Sequence, residues 1–147
     1  MTDESLTRSA ILDALEARGG AHKSELCRMT GRGWGTIGHH VYVMVRDGRV
    51  ETEVHGRKLW VFRPTMTRAE RDWLIATSNP QRNRLLDVIR GVKPSSTISE
   101  LSQEMATSKK IVRTHLGHLR RAGAVGKLSG NPPRYVAREP SNVKDQG

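Results

Sequence analysis

Six side chains between positions 109 and 121 are spaced to bind a polyanion. Lys109, Lys110, Arg113, Thr114, Arg120 and Arg121 fall together if SKKIVRTHLGHLRRA, residues 108–122, is one helix. The opposite face then carries Val112, Leu116 and Leu119 at i, i+4 and i+7, an apolar stripe that demands a core. Ser108 stands where a hydroxyl can accept a free first-turn N–H, and Gly123 follows the last turn. A helix with one buried stripe and one cationic, hydrogen-bonding face has the shape and chemistry that a DNA major groove accepts. A solvated basic surface helix has the same pattern, so its context along the chain decides between them.

Other chemistry finds less support. Six histidines and one cysteine invite a metal site, and His115 and His118 share a helix face while His39 and His40 are adjacent. No C-x-x-C or H-x-x-x-H pattern accompanies them, so neither metal nor cofactor is expected. No nucleophile-elbow or phosphate-loop pattern occurs, and the glycine-rich GRGWG at 31–35 follows no strand. An enzyme is not expected, nor is a small-molecule ligand.

Composition points the same way. The 147 residues carry a net charge of +10 with 35% hydrophobic content and 4% aromatics. That balance favours nucleic acid first and an anionic membrane second. No apolar run approaches the roughly 20 residues a spanning helix needs. The basic face also lies on a helix whose other side its own core requires, so no membrane partner is expected. The acidic, polar start MTDESLTRSA is unlike a signal peptide, and the single Cys27 fits a reducing compartment. The expected address is the cytoplasm, at the nucleoid.

The elements that must position these residues come in two sets. Residues 7–18 predict a helix with Ile11 and Leu15 inward, stopped by Gly19-Gly20. Ser24 opens a second helix ending at Gly31. A third runs from Trp34 to Asp47 with Ile37, Val41, Met44 and Val45 inward. Val50–Val54 and Lys58–Arg63 form a hairpin about His55-Gly56-Arg57. Thr67 and Glu70 make a capping box for a connecting helix to about Ala76. Asn79-Pro80 starts the next helix, with Leu85, Leu86, Ile89 and Val92 inward. Lys93-Pro94-Ser95-Ser96 is a loop, Ser99 caps a short helix, and the Ser108 helix follows. Val125–Leu128 and Arg134–Arg138 are strands about a proline-containing turn, and the tail from Glu139 is expected to be disordered.

A constant offset of 75 aligns Ser24-Glu25-Leu26 with Ser99-Glu100-Leu101, His40 with His115, Arg46 with Arg121 and Gly48 with Gly123. It also pairs Val50 with Val125, Val61 with Val136 and Arg63 with Arg138. These identities fall at caps, helix stops and core positions, which marks a duplication of one unit: helix, helix, helix, hairpin.

That unit resembles the winged helix-turn-helix fold. TISELSQEMATSKKIVRTHLGHLRRAGAV, residues 97–125, and GWGTIGHHVYVMVRDGRVETEVHGRKLWVF, residues 33–62, carry the resemblance. It is closest to MarR- and ArsR-like regulators and to tandem winged-helix proteins common in archaea. It implies a mainly α fold with small β-hairpin wings (α+β), in two domains, 1–64 and 80–138. A helical connector, 65–79, joins them, and the tail is 139–147. It implies a third helix in the major groove and a wing on the minor groove or phosphates of double-stranded DNA. Carried over by position, Lys109, Lys110, Arg113 and Thr114 become groove residues, with Arg32, Trp34, Thr36, His39 and His40 their counterparts in the first repeat. Wing candidates are His55, Arg57 and Lys58, then Asn131 and Arg134. The family's outer helices leave a homodimer open.

The halves differ in charge. Residues 1–64 carry a net +2 and residues 80–138 a net +9, which makes the second repeat the expected anchor on phosphate. Gly35 and Gly38 lie inside the first repeat's third helix, each costing about 1 kcal/mol against alanine. Three functions stay open: a transcription regulator, an abundant nucleoid protein of little sequence preference, and a protein-interaction adaptor.

Overall fold

A computed structural model describes residues 3–91 and 95–138. The tail from Glu139, and Val92-Lys93-Pro94 of the expected helix end and loop, lie outside the described residues. The chain divides into two compact units, Met1–Met66 and Thr67–Gly147.

The first unit runs α1 (Asp3–Arg18), β1 (Gly20–His22), α2 (Lys23–Thr30), α3 (Trp34–Arg46), β2 (Glu51–His55) and β3 (Lys58–Phe62). Three helices pack about Ile11, Leu15, Leu26, Ile37, Val41 and Met44. The sheet order is β1-β3-β2, all antiparallel, with Ala21 opposite Val61 and Thr52 opposite Val61 on the other side. This is a winged helix-turn-helix with the β2–β3 hairpin as its wing. The Gly56 turn, at φ 63°, needs the left-handed conformation that glycine adopts freely.

The sequence reading misses β1, which follows a left-handed Gly19 with φ 84°. Three residues without apolar alternation carry no local strand signal, and β1 exists because β3 supplies its hydrogen bonds. The reading also misplaces one cap: α2 begins after His22, whose Nδ1 accepts from the Glu25 N–H at 3.3 Å, not at Ser24. Val45, expected inward, is 40% exposed, and Val43 and His40 face in instead.

The second unit runs α4 (Arg68–Thr77), α5 (Pro80–Gly91), α6 (Ile98–Met105), α7 (Lys109–Arg121), β4 (Val125–Leu128) and β5 (Arg134–Ala137). α4 opens on the expected Thr67–Glu70 capping box. Arg71 and Ala76 of α4 are buried, and Trp73 packs on this unit's core. That core gathers Leu85, Leu86 and Ile89 of α5 with Leu101, Val112, Leu116, Leu119 and Tyr135. α6 starts at a second capping box, Thr97 with Glu100, and so not at Ser99. Here the sheet has two strands, β4 and β5, and a single bridge from Ser96 to Tyr135 lies on the outer side of β5.

His40 illustrates the energetics. It is 4% exposed, and its Nδ1 accepts from Arg8 Nε at 3.2 Å. Burial, then the Arg8 charge, push its pKa below the ordinary 6.5. Folded His40 therefore takes up its proton at a lower pH than the unfolded chain, which does so near 6.5. Stability is full above that pH and is lost as pH falls through the window below it. Burial lowers His22, His115 and His118 in the same direction. Thermal midpoints should therefore be lower at pH 5.5 than at 7.5, and H40Q should reduce that difference. A midpoint rising toward pH 5.5 would contradict the assignment.

Candidate nucleic-acid interface

α7 forms because its apolar residues recur at helical spacing and Ser108 caps it, accepting the Ile111 N–H at 3.2 Å. Val112, Leu116 and Leu119 are buried against α5 and α6. Each such burial contributes about 1.5–3 kcal/mol relative to exposure, which fixes the helix's rotation. That rotation leaves Lys109, Lys110, Arg113, Thr114, Arg120 and Arg121 exposed.

An open cleft of about 540 Å³ separates α7 from the β4–β5 wing. Lys109, Arg113 and Arg120 line it from the helix. Lys127 and Pro132-Pro133 line it from the wing, and Thr97 and Ser99 from the start of α6. Among the described residues no acidic side chain pairs with Lys109, Lys110, Arg113, Arg120 or Lys127. Four cations thus converge on one channel without internal neutralisation, an arrangement that attracts phosphate. Lys127 escaped the sequence reading because nothing in VGKL marks one strand residue as facing a helix across space.

The remaining candidates divide. Thr114 Oγ1 donates back to the Lys110 carbonyl at 3.1 Å, and Arg121 reaches His118 Nδ1 at 3.3 Å. Asn131 is exposed at the wing turn. Arg134 is committed elsewhere: Nε donates to Ser95 Oγ at 2.7 Å, Nη2 donates to the Ser95 carbonyl at 3.0 Å, and Glu100 lies 3.3 Å away. Its guanidinium ties β5 to the chain before α6, and it does not line the cleft. His115 bonds Gln81 Oε1 at 3.2 Å through Nε2 and faces α5 rather than the cleft.

On the first unit, Arg32, Trp34, Thr36 and His39 are exposed along or just before α3, and Arg57 and Lys58 stand at the wing tip. His55 is held by Glu53 Oε1 at 2.9 Å. His40, expected beside them, is withdrawn: it fills the core position between Ile37 and Met44. The outer face of α3 is aromatic where that of α7 is cationic. Trp34 is 58% and Tyr42 69% exposed. The 75-residue offset sets Trp34, Gly35, Gly38 and Val45 against Lys109, Lys110, Arg113 and Arg120. The ammonium of Lys23, a residue the sequence reading passed over, lies 3.9 Å from the Trp34 ring centre.

No group of three or more His, Cys, Asp or Glu among the described residues could hold a metal ion. None of the described helices is long and apolar enough to cross a membrane.

Residues 5–74 match a family model for an N-terminal HTH domain, HTH_HVO_0163_N. Among curated proteins none matches the chain. Solved structures similar to it include reduced HlyU from Vibrio cholerae N16961, at 24% identity over 53% of this chain and 80% of that one, with a TM-score of 0.44. NolR from Sinorhizobium fredii aligns at 25% identity over 54% and 78%, with a TM-score of 0.43. The mRNA-binding domain of elongation factor SelB from E. coli, solved with SECIS RNA, aligns at 12% identity over 95% and 100%, with a TM-score of 0.35.

Proposed function

We propose that this chain is a double-stranded DNA-binding protein of two tandem winged-helix domains, acting as a transcription regulator of the MarR/ArsR-like kind at the nucleoid. The observation that carries the reading is the exposed face of α7, where Lys109, Arg113 and Arg120 share an unneutralised cleft with Lys127 of the wing. The helix-turn-helix match over residues 5–74 supports the same class. α7 enters the major groove and the wing cations meet the flanking phosphates. The second domain supplies most of the binding energy, in keeping with its share of the net charge.

Titrating a labelled random duplex with the intact chain at increasing salt tests this. About five phosphate contacts predict a slope of log K against log salt near −4 to −5. A slope near zero, or no duplex binding at physiological salt, would favour a protein-interaction adaptor. The concentration of charge in one domain also favours a second reading, an abundant nucleoid protein. A ratio above about 10³ between the best selected site and random DNA identifies a regulator, and near parity identifies packaging.

A further inference from the structure

The two recognition faces differ in kind, and the difference centres on Lys23. Its backbone is the first residue of α2, directly after β1, where His22 pairs with Trp60 in the sheet. The His22 ring meets the Trp60 ring edge-on at 5.3 Å, so the root of Lys23 is fixed to the sheet. Its ammonium crosses to α3 and lies over the Trp34 ring. A Cβ built on Gly38 would stand 2.7 Å from that ammonium. Trp34 and Gly38 are one turn apart on the same face. The charge therefore occupies the outer surface of α3, in space that only glycine leaves open. Among the described residues no carboxylate pairs with it.

We propose that Lys23, seated between Trp34 and Gly38, is the sequence-discriminating donor of this protein, directed at the O6 and N7 acceptors of a guanine in the major groove. The inference rests on the DNA-binding reading and adds a division of labour: the second unit grips phosphate, and the first unit reads. An ammonium donates hydrogen bonds and accepts none, and guanine offers it two adjacent acceptors in that groove. Held at its root and on an aromatic ring, this lysine has less freedom left to lose on binding than an ordinary surface lysine. Its ammonium also sits on the N-terminal turn of α3, the part of a recognition helix that meets base edges, rather than at the wing. The second unit has no such device: the offset sets Ile98 against Lys23, Lys109 against Trp34 and Arg113 against Gly38.

The test uses the intact chain and duplexes selected by it from a random library. The best site is compared with variants in which each G·C pair is changed to A·T. The native chain should lose on the order of tenfold in affinity at one such pair. K23A should abolish that difference, with a loss on random duplex much smaller than its loss on the best site. G38A should do the same by displacing the ammonium. Alanine is the better helix former, and the displaced group is the end of a flexible side chain, so G38A should melt no lower than the native chain. Uniform weakening by K23A on all sequences, with a salt slope reduced by about one, would mark a phosphate contact and overturn the proposal. Unchanged discrimination in both variants, or no enriched site, overturns it too. Binding of random duplex in these same titrations reports separately on the DNA-binding reading.

Discussion

Replacing Lys109, Lys110 and Arg113 together by alanine should weaken duplex binding by roughly two to three orders of magnitude at moderate salt. The salt slope should fall from about −4 or −5 to about −1 or −2, because each lost phosphate contact removes about 0.9. All three side chains are exposed and no acidic side chain among the described residues pairs with them, while Arg120 and Lys127 of the cleft keep the residual binding. Their helix should survive: its buried stripe is untouched, and alanine is at least as good a helix former. The melting midpoint should therefore stay within a few degrees of the native value. Electrophoretic or fluorescence titration at two salt concentrations gives the result, and an unchanged affinity sinks the assignment of α7 as the binding helix.

The opposite side of the same helix predicts the opposite outcome. Leu119 is fully buried among Leu85, Leu86, Leu116 and Tyr135. L119A should cost about 2–5 kcal/mol, the transfer term plus the cavity it leaves. Whole domains are stable by only about 5–15 kcal/mol, and one this small stands at the low end. The second unit should then be substantially unfolded at physiological temperature, with DNA binding lost through the fold rather than through charge. Urea denaturation followed by circular dichroism measures the cost. A loss below about 1 kcal/mol would mean that Leu119 is not a core residue of this unit.

Particular residues show how much of this could be read in advance. The α7 stripe and its Ser108 cap were legible because both signals are local. The 75-residue offset was legible because its identities fall where backbone geometry makes demands, as at Gly48 and Gly123, both left-handed at φ 75° and 78°. The start of α6 was misplaced although Thr97-x-x-Glu100 repeats the Thr67-x-x-Glu70 signature. Ser99 is a plausible cap, but it has no acidic residue three positions on to complete a box. In α3 the inward phase slipped at Val45, since His40 takes a core place that polarity would deny it. The cleft cation Lys127, the diverted Arg134 and the Lys23–Trp34 pair were beyond reach, because each depends on residues from different elements meeting in space. Net charge set the second unit apart, and only geometry separated the cations open to the cleft from Arg134, which is bonded within the unit.

The two hairpins are also anchored differently. β3 is flanked on both sides, by β1 and β2, whereas β5 has β4 on one side and the lone Ser96 bridge on the other. A two-stranded ribbon carries more twist than a wider sheet. Arg134 and the Ser96 bridge nonetheless pin the second wing, through bonds to Ser95 and to the backbone of Tyr135. The first is held on the corresponding side by a whole strand, β1, with Lys58 and Leu59 of β3 extending beyond it toward the turn.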